Sequence, residues 1–383
     1  MSTFLRGLAG ALGQAGHRID IFTRAGAAGR EEVIDLAPGV RLVKVDDGLG
    51  SMAKEKVYPH CRHIARAAED FIGRGKNRYD LLFSHYWLSG CVGRFLRESL
   101  GAPHLIMFHT LGRAKNELCP DENEPPLRLV EEEKLARECD LVIVASQLEE
   151  ERLVSYFDLP AEKIARITCG VDRRLFRPRG RKEARRQLGW PAEEETKIIL
   201  AVGRIEPVKG FDLLLEACAL LPAEDNFILC IVGGDEYSRA RVARLKEKAA
   251  ALGLGGKVIF KGIVDHERLP IYYSAASLTA ITSCYESFGL VALESAACGT
   301  PVVGGYTGAL PEIIMDQGKE EGLFGYLVES HSPAQWAGKI RAAYLQVNVP
   351  TAKEIENKLT VFSWQEAARR LIEQCRNGLL HRL

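Results

Sequence analysis

KIILAVGRIEPVKGFDLL, residues 197–214, joins a continuous apolar run to a charged loop and then to the start of a helical pattern. A continuous apolar run, without alternation, is typical of a parallel strand that is buried on both faces. The loop that follows is stiffened by Pro207 and opens onto the helix start. This strand-then-helix unit is the repeat of α/β proteins, so the stretch predicts that fold class.

The same alternation runs along the whole chain in two series of short apolar runs. The first series comprises 18–23, 40–45, 79–85, 103–109, 139–146 and 163–168, and the second comprises 197–203, 226–233, 257–264, 278–283, 301–304 and 326–329. Between them, residues 177–195 are dense in charge, proline and glycine, as expected of a linker. We therefore predict two doubly wound, Rossmann-like domains that face each other across a ligand-binding cleft.

The predicted domains are residues 1–177 and 178–361, followed by a final helix at 362–383. Ser363-Trp-Gln-Glu366 has the spacing of a capping box and predicts the start of that helix, which we expect to pack back towards the first domain. Within the linker, the basic cluster at 179–186 could touch a membrane surface, but a solvated helix face is the favoured interpretation.

Composition narrows the classes of protein. The length of 383 residues exceeds one ordinary core, and the 51 basic and 51 acidic residues cancel, which gives no reason to expect nucleic acid as a partner. The ten cysteines contain no Cys-x-x-Cys pair, which argues against a disulfide framework and a structural zinc site and favours the reducing cytoplasm. No apolar run approaches the roughly 20 residues of a membrane span. The sequence leaves open whether the chain forms a homodimer.

SCYESFGLVALESAACGTPVV, residues 283–303, carries the most chemical information. It follows an apolar run and contains Glu286 in the predicted loop and Glu294 about two helical turns later, if the helix starts near Gly289. The helix start would present the free backbone N–H groups of Ser287, Phe288, Gly289 and Leu290 to an anion. Two carboxylates beside an anion site suit a nucleotide sugar, although on spacing alone a dipole-favoured Glu294 and a surface Glu286 explain the pattern equally well.

The loop GRIEPVKG adds two cations, Arg204 and Lys209, at the end of the strand that opens the second series. Alone, such residues are usually solvated. Aimed into the same cleft as the paired glutamates, they could neutralise a diphosphate leaving group without a metal ion. We therefore favour a nucleotide-sugar site over the surface interpretation.

Five segments together resemble the retaining, group 1 glycosyltransferases of GT-B fold, which carry an E-x7-E pair. They are GRIEPVKG, the pair Glu286 and Glu294, FKGIVDHERLPIYYSAA, ITCGVDRRLFRP and TGALPEII. The resemblance covers nearly the whole chain and is nearest to the branch of sucrose-phosphate synthase and of the inositol-phosphate N-acetylglucosaminyltransferase of mycothiol synthesis.

The resemblance implies a role for each residue of the donor site. Arg204 and Lys209 bind the donor diphosphate, supported by the backbone of residues 288–290. Glu294 binds the ribose hydroxyls, and Glu286 binds hydroxyls of the transferred sugar. His109, at the end of PHLIMFH, orients that sugar. The base of the donor nucleotide contacts backbone groups of Gly262, Ile263 and Val264. The donor nucleotide in this branch is UDP, and no metal or other cofactor is required.

The resemblance also implies that the acceptor is a small phosphorylated sugar or polyol held by the first domain. The matching positions are Lys54, Tyr86, Thr110 and Arg128. Lys56 is a close rival to Lys54. Without the resemblance, His109 would more often be a histidine that is hydrogen-bonded at a strand end, and Lys54 and Arg128 would be surface charges.

Three other functions are alternatives for this chain. A nucleotide-sugar epimerase would carry further acid and base residues, and a phosphorylase would carry a cofactor lysine in a distinct motif. The third is a protein that binds a sugar nucleotide without turnover. A metal site at His60, Cys61 and His63 is disfavoured because adjacent residues of a helix cannot all face one ion.

The first predicted helix raises a question about the start of the chain. Residues 1–16 show the spacing of a helix that ends at Gly16, followed by a strand, but no strand comes before it. In the resembling family a first strand and a Gly-Gly loop precede this helix. We therefore expect that Met1 is an internal methionine of a longer native protein.

Overall fold

The computed structural model describes residues 2–26, 29–75, 77–119, 123–193, 195–315, 321–345 and 350–378. These residues divide into two compact units. The first unit takes in 1–114, 124–170 and 362–383, and the second takes in 115–123 and 171–361. In the described ranges, no helix is both long and apolar enough to cross a membrane.

The first unit contains two separate sheets. The elements up to residue 166 are α1 (Ser2–Gln14), β1 (Ile19–Arg24), β2 (Glu32–Ala37), β3 (Val40–Val45), α2 (Cys61–Gly75), β4 (Leu82–His85), α3 (Trp87–Leu100), β5 (His104–Met107), α4 (Gly112–Leu118), α5 (Pro126–Glu138), β6 (Leu141–Val144), α6 (Gln147–Phe157) and β7 (Ile164–Arg166). All belong to the first unit except the part of α4 after residue 114, which belongs to the second. One sheet has the order β1–β3–β2 and the other has the parallel order β4–β5–β6–β7. Every residue of β5 and β6 is buried, and all but His104 are apolar, as continuous apolar runs predict.

The second unit is built on one seven-stranded sheet. Its elements, with the final helix, are α7 (Arg181–Leu188), β8 (Lys197–Val202), α8 (Phe211–Ala219), β9 (Phe227–Val232), α9 (Arg239–Ala251), β10 (Val258–Gly262), α10 (Leu269–Ala275), β11 (Leu278–Ile281), α11 (Leu290–Ala297), β12 (Val302–Gly305), α12 (Leu310–Ile314), β13 (Glu321–Gly322), β14 (Gly325–Val328), α13 (Pro333–Leu345), α14 (Ala352–Leu359) and α15 (Trp364–Gly378). The strand order is β10–β9–β8–β11–β12–β14–β13, and every pair but the last is parallel.

The predicted α/β class is confirmed, and each of the predicted apolar runs overlaps a strand. Helix α1 ends at Gln14, just before Gly16. It packs against α15 within the first unit, where the rings of Phe4 and Trp364 meet edge to face with centroids 5.6 Å apart. Half of the predicted capping box forms, because the Glu366 N–H donates to Ser363 Oγ while the Glu366 carboxylate pairs with arginines of its own helix.

Two strands and one buried arginine depart from the sequence prediction. Strand β2 is mostly exposed and pairs antiparallel with β3, and its mixed charged and apolar residues give no buried-strand signal. Strand β13 is only two residues long. In α7, Arg185 is buried and donates to the carbonyl oxygens of Ala275 and Glu193, so the basic cluster at 179–186 is not wholly a solvated face.

A disulfide joins Cys119 to Cys284 inside the second unit, across 165 residues of sequence. The argument against disulfides is therefore wrong for this pair. Spacing motifs detect cysteines that are neighbours in sequence, whereas these two are brought together only by the fold. The other eight cysteines are buried thiols.

Opening this disulfide should lower the free energy of unfolding by about 2–4 kcal/mol, because the crosslink restricts the unfolded chain. Urea unfolding of the oxidised protein with and without a dithiol reductant measures the difference. Cys119→Ser should match the reduced wild type and should not respond to reductant. Equal stability of the oxidised and reduced forms would contradict the expectation.

Candidate functional site

The carboxyl ends of β8 and β11 bring two loops together in the second unit. The strands pair in parallel, so the loop 203–210 and the loop 282–289 leave the sheet at the same edge. Gly210 has φ +63°, and a Cβ there would lie 2.1 Å from the carbonyl oxygen of Thr282, so only glycine fits. Thr282 Oγ1 donates to the Lys209 carbonyl oxygen at 3.0 Å, which fixes Lys209 beside the second loop.

Lys209 and Glu286 meet at this edge. The Lys209 ammonium contacts the Glu286 carboxylate, and both side chains are largely buried. Ser283 Oγ donates to Glu286 Oε1 at 2.8 Å, and the Glu286 N–H donates to Thr307 Oγ1 at 3.0 Å. A cation and a carboxylate predicted from two different motifs are therefore held in one rigid arrangement.

Arg204 is placed differently. Its side chain is 77% exposed and pairs with Glu206 at 2.7 Å. The structure therefore does not bring Arg204 into the contact between Lys209 and Glu286. Arg204 is therefore an exposed cation on the same loop as Lys209, and its partner Glu206 is a partly exposed carboxylate.

Helix α11 begins at Leu290 with Gly289 as its N-cap, close to the predicted start. Phe288 is buried just before it, and Ser287 precedes Phe288 in the same loop. The first N–H groups of a helix lack intrahelical acceptors and carry the positive end of its dipole. This end of α11 follows directly on the loop that carries Glu286.

Glu294 lies one turn into α11 and is buried, with both carboxylate oxygens occupied. His266 Nε2 lies 2.8 Å from Glu294 Oε1, and Tyr273 Oη donates to Oε2 at 2.8 Å. The hydrogen bond to Glu294 raises the pKa of His266 above its usual value. Burial raises the pKa of Tyr273, so this hydroxyl stays a neutral donor. Both partners lie in the quoted segment FKGIVDHERLPIYYSAA, but the sequence prediction did not assign them.

The predicted base-contacting residues lie at the end of β10. Gly262 ends the strand, Ile263 is 72% exposed and Val264 is half-buried. The Gly233 N–H donates to the Gly262 carbonyl oxygen at 2.8 Å. A Cβ at Gly233 would lie 1.8 Å from the Gly203 carbonyl oxygen, so this residue must be glycine where the loops after β8 and β9 approach. Gly233 was missed, although a Gly-Gly pair directly after a predicted strand is a visible signal.

In the first unit, two of the four predicted acceptor residues, Lys54 and Arg128, lie over the ring of a third, Tyr86. The Lys54 ammonium lies 5.1 Å and the Arg128 guanidinium 5.0 Å from the ring centroid. Arg128 Nη2 donates to Thr110 Oγ1 at 2.9 Å and to the Thr110 carbonyl oxygen at 2.7 Å. The structure therefore brings Lys54, Tyr86, Thr110 and Arg128 into one cluster.

Arg128 is not a surface charge, because its side chain is only 1% exposed. Glu132 lies 2.6 Å and Glu124 2.8 Å from its guanidinium nitrogens. Burial raises the pKa of Glu132 to about 7, against the opposing effects of Arg128 and of the Gly112 N–H. A buried guanidinium with four polar partners is held in a single orientation.

Two buried polar atoms, one in this cluster and one on the residue that follows it in sequence, lack a hydrogen-bond partner. Among the described residues, Tyr86 Oη and Trp87 Nε1 have no hydrogen-bond partner. Trp87 stacks on Tyr58 with ring centroids 5.8 Å apart. Buried polar groups are normally hydrogen-bonded, so these two unpartnered atoms are exceptions within the described residues. Trp87 was not predicted, although it follows Tyr86 in the quoted segment SHYWLSG.

His109 follows β5 and lies against His85 at the end of β4. His85 Nδ1 and His109 Nε2 are 2.9 Å apart, so one ring donates and the other accepts. Burial lowers the pKa of His109 to about 3 and lowers that of His85 well below its usual value. Both imidazoles are therefore neutral near pH 7, and each fixes the tautomer of the other.

The weighed metal site is not assembled. His63 Nε2 lies 2.7 Å from the Asp47 carbonyl oxygen, and Cys61 is buried in α2. In the part of the chain that the structure describes, no three His, Cys, Asp or Glu side chains form a group that could hold a metal ion.

Both the sequence and the structure of this chain are similar to those of known proteins. The model for "Glycosyl transferases group 1" matches residues 181–358, and the model for "Glycosyltransferase Family 4" matches residues 1–175. A D-inositol 3-phosphate glycosyltransferase from Salinispora arenicola is 34% identical over 391 residues, covering 97% of this chain and 86% of that protein. A homologue with the same description from Streptomyces scabiei is 36% identical, covering 88% of this chain and 76% of that protein.

Two solved structures show the fold. A sucrose-phosphate synthase from Thermosynechococcus elongatus superimposes with a TM-score of 0.85 at 30% identity, covering 98% of this chain and 92% of that one. Anabaena HepE, solved in complex with UDP and glucose, superimposes with a TM-score of 0.69 at 21% identity, covering 89% of this chain and 86% of that one. The second likeness concerns the fold alone.

Acidification should destabilise the protein through His85 and His109. Their folded pKa values are lowered, so the unfolded chain takes up protons below about pH 6.5 while the folded chain does not. Each histidine should contribute a fall of about 1.4 kcal/mol per pH unit to the free energy of unfolding as the pH drops towards 5. The raised pKa of Glu132 contributes in the opposite direction over the same range, so the contribution of a histidine is read from the difference between wild type and its variant. Urea unfolding at a series of pH values measures this slope.

His109→Gln should reduce the slope, and His17→Gln, at an exposed position, is the matched control. A slope that His109→Gln leaves unchanged would show that these histidines are not held neutral by the fold.

Proposed function

This chain belongs to the group 1 glycosyltransferases, and we propose that it moves a hexosyl group from a UDP-sugar to a phosphorylated sugar or polyol, with retention of the anomeric configuration. The observation that carries the proposal is the contact between Lys209 and Glu286 beside the start of α11. It joins a cation for phosphate to a carboxylate for sugar hydroxyls.

The donor diphosphate is assigned to the second unit. Lys209 and the N–H groups at the start of α11 offer positive charge at one place, and Arg204 is an exposed cation on the same loop as Lys209. These groups stabilise the negative charge that develops on the leaving diphosphate, without requiring a metal ion. Glu286, held in contact with Lys209, accepts hydrogen bonds from hydroxyls of the transferred sugar.

The nucleoside is assigned to Glu294 and to the end of β10. The fixed carboxylate of Glu294 accepts hydrogen bonds from the ribose hydroxyls. Backbone groups of residues 262–264 contact the base, and the exposed Ile263 offers it an apolar surface. Anabaena HepE, a protein of the same fold, has been solved with UDP, which makes UDP the first nucleotide to test.

The acceptor phosphate is assigned to Lys54, Thr110 and Arg128 in the first unit. Arg128, whose donors are mostly occupied by Glu124, Glu132 and Thr110, supplies a fixed positive charge, and Lys54 supplies a flexible point charge that can reach a phosphate group. The unpartnered Tyr86 Oη supplies a further polar contact. Relatives named for inositol 3-phosphate and for sucrose phosphate support a phosphorylated acceptor.

The proposed reaction needs no covalent enzyme intermediate. The acceptor oxygen attacks the anomeric carbon on the face from which the diphosphate leaves. The bond between that carbon and the diphosphate oxygen breaks as the new bond forms, and the acceptor proton passes to the departing phosphate oxygen. The neutral His109 orients the transferred sugar through hydrogen bonds and does not act as a base.

The direct test crosses UDP-, ADP- and GDP-linked glucose and N-acetylglucosamine with inositol 3-phosphate, fructose 6-phosphate and their unphosphorylated counterparts. We expect a product with one UDP-sugar and one phosphorylated acceptor, formed also in excess EDTA. Proton NMR of the new anomeric centre reports retention. Binding of nucleotide without any transfer would support the non-catalytic alternative.

Lys209→Ala should lower kcat/KM for the donor by about 10²–10³, the usual effect of removing one group that stabilises developing charge. Steady-state kinetics on the active substrate pair measures it. Lys353→Ala, at an exposed position on α14, is the matched control and should keep the wild-type rate. If Lys209→Ala also keeps that rate, the diphosphate does not bind at this loop.

Lys54→Ala should raise the acceptor KM for the phosphorylated substrate by about tenfold, as expected for one charged hydrogen bond of 1.5–3 kcal/mol that is partly exposed to solvent. It should leave the donor KM unchanged. Lys56→Ala is the matched control, because Lys56 lies in the same short turn but is not placed over Tyr86. The reverse outcome would assign the phosphate contact to Lys56.

A further inference from the structure

Two side chains donate to the carboxylate of Glu294, one to each of its oxygens. Tyr273 Oη, on α10, occupies Oε2 and His266 Nε2, on the turn before α10, occupies Oε1, each at 2.8 Å. We propose that His266 is a positioning residue, which orients Glu294 for ribose and thereby sets how strongly the enzyme distinguishes ribose from a sugar that lacks a hydroxyl. This inference rests on the proposed binding of a nucleotide sugar at Glu294.

The number of hydrogen-bonding sites on the carboxylate supports this role. An ionised carboxylate offers about four lone-pair sites. When His266 and Tyr273 occupy one site on each oxygen, one site on each oxygen stays available. Two acceptor sites on one fixed carboxylate match in number the two neighbouring hydroxyls of a ribose. A carboxylate held by only one donor would rotate and lose this match.

The two donors to Glu294, Tyr273 and His266, differ in whether their charge changes with pH. Tyr273 is fully buried and remains neutral, whereas His266 is 39% exposed and can change its charge. The charged groups that act on His266 are Glu294 from α11, Glu267 from its own turn and Asp172 from the segment before α7. All are acidic, so they favour the imidazolium form.

The ring of His266 also has a fixed position. Its edge meets the ring of Phe176 with centroids 5.1 Å apart, and Phe176 itself packs near Tyr273. An imidazolium donates a charge-assisted hydrogen bond to Glu294, and this bond is roughly twice as strong as the neutral one. The hydrogen bond from His266 to Glu294 should therefore weaken as the pH rises through the pKa of His266, which lies above its usual value.

The experiment compares UDP with 2′-deoxy-UDP by isothermal titration calorimetry on the full chain, at about pH 6 and pH 8.5. ADP and GDP with their 2′-deoxy forms are measured in parallel, and the tightest pair is used. The readout is the ratio of the two dissociation constants, which a change in overall stability does not move.

We expect His266→Ala to lower the preference for ribose about five-fold at pH 6, the effect of weakening one hydrogen bond. The affinity for the 2′-deoxy nucleotide should stay within about twofold of wild type. His266→Gln keeps a neutral donor and should hold a partial preference that no longer depends on pH. Tyr273→Phe is the matched comparison, because it removes the other donor and should lower the preference equally at both pH values.

The outcomes separate the two proposals. If wild type binds none of the three nucleotides, the proposed function fails. If wild type binds UDP but His266→Ala keeps the full ribose preference, the function stands and the role of His266 is overturned. If His266→Ala does not fold, His266→Gln decides, and a wild-type pH dependence in that variant overturns the role.

Discussion

The parallel pairing of β8 with β11 is the constraint on which the second unit depends. Parallel strands send their following loops to the same edge, and here those loops carry Lys209 and Glu286. The close approach at Gly210 removes the space that a side chain would need, so the two loops meet backbone to backbone. The charges are then fixed by the fold before any ligand arrives, which is the arrangement that electrostatic catalysis requires.

In the first unit, the central cation of the candidate site, Arg128, is buried. A guanidinium inside a protein is stable only when nearly all its donors are used, and Arg128 meets this condition with Glu124, Glu132 and Thr110. Its neighbours Tyr86 and Trp87 are buried with polar atoms left unpaired. The pairing of Arg128 fixes its orientation, while the polar atoms of Tyr86 and Trp87 beside it have no hydrogen-bond partner among the described residues.

Much of the architecture follows from local patterns. Continuous apolar runs locate the parallel strands, because burial on both faces leaves no room for polar alternation. The same reasoning misses β2, whose exposed faces remove the signal. It also misplaces Arg185, since a run of basic residues does not reveal which one turns inward to meet the carbonyl oxygens of Ala275 and Glu193.

The candidate site, like the fold, could be predicted from the sequence only in part. Its residue types could be read from motifs, because phosphate requires cations and ribose requires a hydrogen-bond acceptor. The sequence by itself determined the α/β alternation and put Lys209, Glu286 and Glu294 after buried strands or on the helix that follows one. Only the tertiary structure decided that Arg204 pairs with Glu206, that His266 holds Glu294 and that Cys119 bonds Cys284. Most of these partners lie far apart along the chain, and local periodicity carries no information about contacts of that kind.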